Sequence, residues 1–360
     1  VSDVALLHVD TAAGWRGGQN QVLLTASGMA ARGCRSSIAC RRRGPLEARA
    51  RAAGLAVHPI PFRGDLWPPA ILALARLLRR GCYRVLVLHD PHAVSAGLLA
   101  RRLAGRFPVV AVRRVDFPLA SPLSRRKYAA CDRVVVVSRA IGRVVQAGGV
   151  PAERLRLVYE GVPDRTPAPG GEEVLVALGI PKGAPVVGNV AALTDHKDHA
   201  TLVEAMARLR PRRPDARLVV CGEGPLRGAL EALVRGRGLE DRVVLAGFRH
   251  DLDRLLPAFS VFCLSSRLEG LGTSLLDAMA FGLPIVATAA GGIPEAVEDG
   301  RNGRLVPPRD PAALAEALAE VLGDEAHRRA YGEAGRRVFL ERFTADRMVD
   351  GTLAVVEETV

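Results

Sequence analysis

The chain reads as two runs of short apolar strands alternating with helix-patterned segments, separated by a proline-rich break. In the first run Val4–Val9 has a strand pattern and is followed by a glycine-containing turn and a helix near Gln21–Ala31. Further strands are expected at Ser36–Ala39, Val85–Leu88, Val109–Val112 and Val134–Val137. Short runs of Val and Leu unbroken by polar residues suit strands covered on both faces. Their alternation with helical segments points to a doubly wound parallel sheet. From Gly161 to Pro185 the chain carries five prolines, as a domain connection would. The alternation then restarts, with strands at Val186–Ala191, Leu218–Cys221, Val243–Ala246, Val261–Leu264 and Ile285–Ala287. Asp310–Leu322 has clear helix grammar: Asp310 at the N-cap, Pro311 next, and Leu314, Leu318, Val321 and Leu322 on one face. No repeat at a solenoid period is visible. The expected architecture is α/β, two Rossmann-like sheets in series. Domains are expected over 1–165 and 166–343, with a C-terminal helix at about 344–360 packing back on the first.

Composition agrees with this picture. A length of 360 residues is right for two domains, and the 49% hydrophobic content is Ala, Leu and Val rather than aromatics. The six cysteines are scattered, without a CxxC pair or zinc-ligand spacing, and read as free thiols. The opening VSDVALLHVD lacks a basic leader region, and no apolar run approaches the roughly 18 residues of a membrane span. A cytoplasmic protein is expected.

Charge changes the picture more. Residues 1–165 carry 27 Lys+Arg against 10 Asp+Glu, whereas residues 166–360 carry 23 against 28. Part of the arginine excess can reflect codon usage. The asymmetry nevertheless suggests an anionic partner for the first half, such as a membrane surface, an acidic or phosphorylated acceptor, or nucleic acid. Aromatics at only 4%, dispersed arginines and the lack of a nucleic-acid-binding motif argue against the last.

In open α/β sheets ligands bind beyond the carboxyl ends of the strands. There, after Val261–Leu264, Glu269 precedes Gly270-Leu271-Gly272, and Thr273, Ser274 and Leu275 open a helix. Glycines let a ligand approach the backbone, and the free N–H groups of a first helical turn favour phosphate. Glu269 stands where a carboxylate can accept hydrogen bonds from sugar hydroxyls. Asp277 lies one turn inside and can hold a ribose, although Ser274-x-x-Asp277 also has the spacing of a capping box. Asp251-Leu252-Asp253 has the look of a metal-binding pair, but its position at a helix start reads as capping charge, and no metal is assigned.

The stretch EGLGTSLLDAMAFGLPIVATAAGGIPE resembles the signature of family 4 of the retaining, GT-B-fold glycosyltransferases, whose pattern sets two acidic residues seven positions apart. Here these are Glu269 and Asp277, the second being Asp where Glu is usual. The resemblance extends to Gly17-Gly18 after the first strand, DRVVVVSRAI, LVVCGEGPLR and DRVVLAGFRHDLDRLLPAFSVFCLSS. It implies two Rossmann-like domains facing across a cleft. It also implies transfer of a sugar from a nucleoside diphosphate to an acceptor hydroxyl with retained configuration, without a metal or other cofactor.

In the family an Arg and a Lys at the start of the second domain grip the donor diphosphate. In GNVAALTDHKDH Lys197 matches the lysine and Ala192 stands at the arginine's place. By resemblance Lys197 and Glu269 are the catalytic pair, and Gly17, Gly18, Gly270, Gly272, Thr273, Ser274, Leu275, Asp277 and Phe248 bind the donor. On the acceptor or sugar side, AVRRVDF puts Arg113 or Arg114 where the family often has a His, with Asp116 nearby. His92 follows another strand. Expected partners are the nucleotide-sugar donor, a lipid-linked or lipopolysaccharide-type saccharide, and peripheral contact of the basic half with the inner face of the cytoplasmic membrane. A sugar-nucleotide epimerase on the same architecture and a non-enzymatic binder of anionic polymers are the competing readings.

Overall fold

Thirteen parallel strands form two sheets among the described residues, 4–64 and 66–360 of this computed structural model. The first unit comprises the chain up to Gly161 together with Ala345–Val360, and the second comprises Val162–Thr344.

In the first unit the strands are β1 (Ala5–Asp10), β2 (Arg35–Arg41), β3 (Ala56–Ile60), β4 (Val85–Leu88), β5 (Val109–Arg113), β6 (Arg133–Val136) and β7 (Leu155–Leu157). Their order is β3-β2-β1-β4-β5-β6-β7. Leu6, Leu7 and Val9 on β1 and all of β4 are fully buried, which explains why these segments read as unbroken apolar runs. The helix Gly17–Ala31 follows β1, and the C-terminal helix Ala345–Thr359 lies against it. Their approach is close enough that a Cβ on Gly28 would fall 2.5 Å from Val349 Cγ2. Arg32 closes the contact with ion pairs to Asp346 (3.0 Å) and Asp350 (2.6 Å). The helices Pro68–Arg80, Pro91–Ala104 and Pro122–Ala129 all begin at a proline. Asp90 and Ser121 cap the second and third.

In the second unit β8 (Val186–Val190), β9 (Arg217–Cys221), β10 (Val243–Gly247), β11 (Val261–Leu264), β12 (Ile285–Thr288) and β13 (Gly303–Val306) take the order β10-β9-β8-β11-β12-β13. This repeats the winding of the first sheet without its last strand. The helix Pro311–Gly323 starts as its sequence implied, with Asp310 accepting from Ala312 N and Ala313 N, and with Leu314, Leu318, Val321 and Leu322 buried.

Three strands are absent from the reading of the sequence: β3, β7 and β13. All three lie at sheet edges, where one side of the strand needs no apolar cover. β3 carries Pro59, tolerable only at such an edge, and β7 has three residues. The helix after β1 also begins at Gly17, four residues earlier than its apolar pattern suggested.

Candidate active site

The winding of the second sheet reverses between β8 and β11, which are neighbours and send their chains to opposite sides. That reversal opens a crevice at their carboxyl ends, the usual ligand position in such sheets. Two loops line it. One follows β8 and ends in the short turn Asp195–Lys197; the other follows β11 and contains Glu269. Lys197 Nζ and Glu269 Oε2 form an ion pair there, with side chains 18% and 11% exposed. Ser266 Oγ donates to the same carboxylate oxygen at 3.0 Å, and Ser265 Oγ donates to the Lys197 carbonyl at 3.1 Å. Thr288, at the end of β12, donates to the Ser266 carbonyl at 2.5 Å. Three strand ends thus hold the pair.

Beneath the pair, β8 and β11 are bolted together. Asn189 Nδ2 donates to the Cys263 carbonyl (2.8 Å), and its Oδ1 lies 3.2 Å from His199 Nε2. This requires the His199 proton on Nε2. Burial and the nearby Lys197 charge lower the His199 pKa to about 4, so the ring is neutral at physiological pH.

Gly270, Leu271 and Gly272 are buried, and Thr273 and Ser274 are half-buried at the start of the helix Thr273–Ala280. Gly272 is the N-cap, at φ 93°, a conformation that a side chain would strain. No side chain caps this helix start, and the first-turn N–H groups have no partner in a preceding turn. Leu275 N already donates to the Gly272 carbonyl at 3.0 Å. With Gly272 at the cap, Ser274 and Asp277 are both inside the helix and form no capping box. Asp277 is half-buried; burial, opposed by the Arg165 charge and reinforced by Asp253, raises its pKa to about 6.

Phe248 follows β10, 54% exposed and edge-on to His250 at 4.9 Å. Asp251 is paired with Arg249 (2.6 Å) and Asp253 with Arg165 (2.9 Å), so both carboxylates of the Asp-Leu-Asp stretch face guanidinium groups. Ala192 lies in the β8 loop and brings no charge. Two arginines that the sequence did not single out stand close by. Arg267 pairs with Asp195 of the Lys197 turn, and its backbone N donates to the His196 carbonyl at 2.8 Å. Arg165, from the proline-rich connection, reaches Asp253 and the field of Asp277. Arg267 could have been found from its place between Ser266 and Glu269. Nothing local in the sequence marks Arg165.

The first sheet reverses between β1 and β4, and there the crevice is filled by the unit's own side chains. Glu160 pairs with Arg114 Nε at 3.2 Å, and Arg114 Nη1 lies 3.2 Å from His89 Nδ1. His89 Nε2 lies 2.9 Å from His8 Nδ1. A guanidinium only donates, so His89 Nδ1 accepts, His89 Nε2–H donates to His8, and His8 carries its proton on Nε2. Both rings are buried, and burial beside the Arg114 charge takes His8 to about 3 and His89 well below its ordinary value. Asp90 accepts from Thr11 N (2.7 Å) and Thr11 Oγ1 (2.9 Å). Asp10 accepts from Gln19 Nε2 at 3.2 Å, and burial next to Asp90 raises its pKa to about 6.

The remaining assigned residues of this unit lie around that network. Gly17 is exposed, and a Cβ on Gly18 would meet nothing within 4 Å. Arg113 is buried, donating to Tyr128 Oη (3.3 Å) and to the Phe117 carbonyl (2.5 Å). Arg113 and Arg114 are therefore both held by internal partners. Asp116 is half-buried, and His92 is exposed at the start of the helix Pro91–Ala104, its N–H donating to Asp90.

Comparison with known proteins places this geometry in a family. Residues 15–165 match "Glycosyltransferase Family 4", and residues 172–338 match "Glycosyl transferases group 1". The chain is 31% identical over 306 residues to the 2-deoxystreptamine N-acetyl-D-glucosaminyltransferase of Streptomyces fradiae, covering 78% of this chain and 72% of that one. It is 32% identical over 179 residues to the lipopolysaccharide core biosynthesis glycosyltransferase LpsE of Rhizobium meliloti, covering 50% and 52%. Its fold is shared by HepE of Anabaena, solved in complex with UDP-glucose, at a TM-score of 0.88 and 20% identity over 98% of this chain and 99% of that one. The chain belongs to family 4 of the glycosyltransferases, retaining enzymes of the GT-B fold that use nucleotide-sugar donors.

Proposed function

We propose that the second unit binds a nucleoside-diphosphate sugar at the β8/β11 crevice and that the chain transfers the sugar to a hydroxyl of a lipid-linked or lipopolysaccharide-type saccharide. The observation that carries the reading is the Lys197–Glu269 pair beside the uncapped start of the helix Thr273–Ala280. In transfer, the bond from the anomeric carbon to the leaving phosphate oxygen breaks, and a bond to the acceptor oxygen forms on the same face. The acceptor proton passes to the leaving phosphate. Negative charge grows on the diphosphate, and the Lys197 ammonium and the N–H groups of Thr273 and Ser274 are the donors that meet it. As the diphosphate claims Lys197, Glu269 is released to accept hydrogen bonds from sugar hydroxyls and orient the ring.

Asp277 would accept from the ribose, and Phe248 offers an exposed ring to the base. Gly17 and Gly18 leave room for a phosphate to approach backbone N–H groups. Arg267 and Arg165 are the guanidinium groups available in place of an arginine at position 192. No metal enters this scheme. His92 and Asp116 belong to the acceptor side, with Arg113 and Arg114 shaping it from within.

The membrane-borne acceptor is supported by the likeness to LpsE and by the basic first half of the chain. Among the described residues no helix is long and apolar enough to cross a membrane, so the proposed location is peripheral, at the inner face of the cytoplasmic membrane. Thermal unfolding with nucleoside diphosphates and their sugars tests the donor reading. A matching donor raises the midpoint with the logarithm of one plus ligand concentration over Kd, and absence of a shift from every nucleotide would refute it.

A further inference from the structure

The first unit carries a groove of about 710 Å³ on the side formed by the helices Pro91–Ala104 and Pro122–Ala129, within the roughly 300–1,000 Å³ of small-molecule pockets. Half-buried Leu98 and Leu99 and the 66% exposed Leu123 give it an apolar wall. Exposed Arg102, Arg106 and Arg126 also line it, and among the described residues these three make no ion pair. Two further cations there are already committed. Arg101 pairs with Asp132 at 2.9 Å, and Lys127 Nζ donates to the Pro91 carbonyl (2.7 Å) and to Ser95 Oγ (3.1 Å). No described residue lining the groove is acidic.

The surroundings repeat this chemistry. Residues 61–130 contain thirteen Lys and Arg against three Asp and Glu. Of the thirteen large apolar side chains exposed among the described residues, seven fall between Leu66 and Leu123. Scattered exposed apolar residues need no explanation, but an apolar groove beside unpaired cations fits an amphiphile.

We propose that this groove takes the acyl tail of a membrane lipid whose anionic phosphate headgroup lies against Arg102, Arg106 and Arg126. A second copy of the chain suits the surface poorly, because a two-fold contact would bring these cations against their own kind. Nucleic acid suits it poorly too, because the wall is leucine and offers no aromatic ring for a base. The proposal deepens the reading of a membrane-borne acceptor and gives the basic charge of the first unit a defined docking site.

Two binding series test it on the full chain. In the first, the protein is titrated with glycerol phosphate and with dihexanoyl and dioctanoyl phosphatidylglycerol kept below micelle formation. Glycerol phosphate alone is expected not to bind, and affinity is expected to rise roughly fourfold per methylene drawn into the groove. In the second, the protein is sedimented with vesicles of phosphatidylcholine, either pure or mixed in equal parts with phosphatidylglycerol. Leu123→Asp is expected to weaken dioctanoyl phosphatidylglycerol binding at least tenfold, and Arg102→Glu with Arg126→Glu to remove the preference for anionic vesicles.

The groove is refuted by glycerol phosphate binding as well as the lipids, by vesicle binding indifferent to these substitutions, or by Leu123→Asp converting a dimer to a monomer. An unchanged thermal unfolding midpoint and far-ultraviolet circular dichroism check the fold of each variant. If the charge reversals fail that check, Arg102→Gln with Arg126→Gln takes their place. Lipid binding without any stabilisation by nucleotides would leave the groove standing and refute the donor site instead.

Discussion

The two sheets wind in the same order and reverse at equivalent places, yet the two crevices differ. At β1/β4 the space is closed by a chain of partners, Glu160–Arg114–His89–His8, in which every charge is matched and both imidazoles are neutral. At β8/β11 the ammonium of Lys197 and the carboxylate of Glu269 face each other beside a helix start with no capping side chain. Topology offers a ligand position twice; the side chains decide which one keeps polar groups available for exchange with a ligand. On the proposed reading the first network is structural and the second is a site whose internal ion pair stands in for the charges of a donor.

Breaking the first crevice should cost the most stability. Arg114→Met removes the guanidinium that faces buried Glu160 and should destabilise by about 3–5 kcal/mol. Denaturant unfolding measures this, while nucleotide binding by the folded fraction should persist. The second crevice should respond in catalysis. Lys197→Ala and Glu269→Gln should each lower kcat by about 10²–10³, equivalent to roughly 2.7–4 kcal/mol of transition-state stabilisation, in steady-state assays with the matched donor.

Asp277→Asn separates stability from function within the second unit. The folded pKa of about 6 lies above the ordinary 3.8. The native state therefore binds more protons between these values, and the contribution of Asp277 to stability is lost as pH rises from about 4 to about 6. Asn escapes that loss and should stabilise the protein by up to about 3 kcal/mol at pH 7.5, with little effect at pH 4, as unfolding curves at the two pH values will show. The same change should weaken donor binding if Asp277 holds the ribose. A smaller effect tests the seat of the C-terminal helix. Gly28→Ala pushes a methyl into Val349 and should cost about 1–3 kcal/mol of stability, read as a lower midpoint of denaturant unfolding.

What the sequence made legible follows burial. The central strands β1, β4, β8 and β11 are covered on both faces and appear as plain apolar runs, whereas the edge strands β3, β7 and β13 leave a weaker mark. The loop position of Glu269 and Gly272 was legible because a stretch between a strand and a helix has a recognisable grammar, whereas Lys197 was singled out by the family resemblance alone. Arg165 was not legible, because its partners Asp253 and Asp277 lie far along the chain and only folding brings them near. The internal engagement of Arg113 and Arg114 was hidden for the same reason. Phe117 is only four residues from Arg113, but Tyr128, Glu160 and His89 come from three other segments. Two adjacent arginines at a strand end look free to meet a ligand until the acceptors around them are seen.

The central claim is that Lys197 at the β8/β11 crevice receives the donor diphosphate. Calorimetric titration of wild-type protein and Lys197→Met with the stabilising nucleoside diphosphate, and with the corresponding nucleoside lacking phosphates, tests it directly. The account requires the variant to bind the diphosphate at least tenfold more weakly while nucleoside binding is unchanged. Equal diphosphate affinity in the two proteins would contradict it.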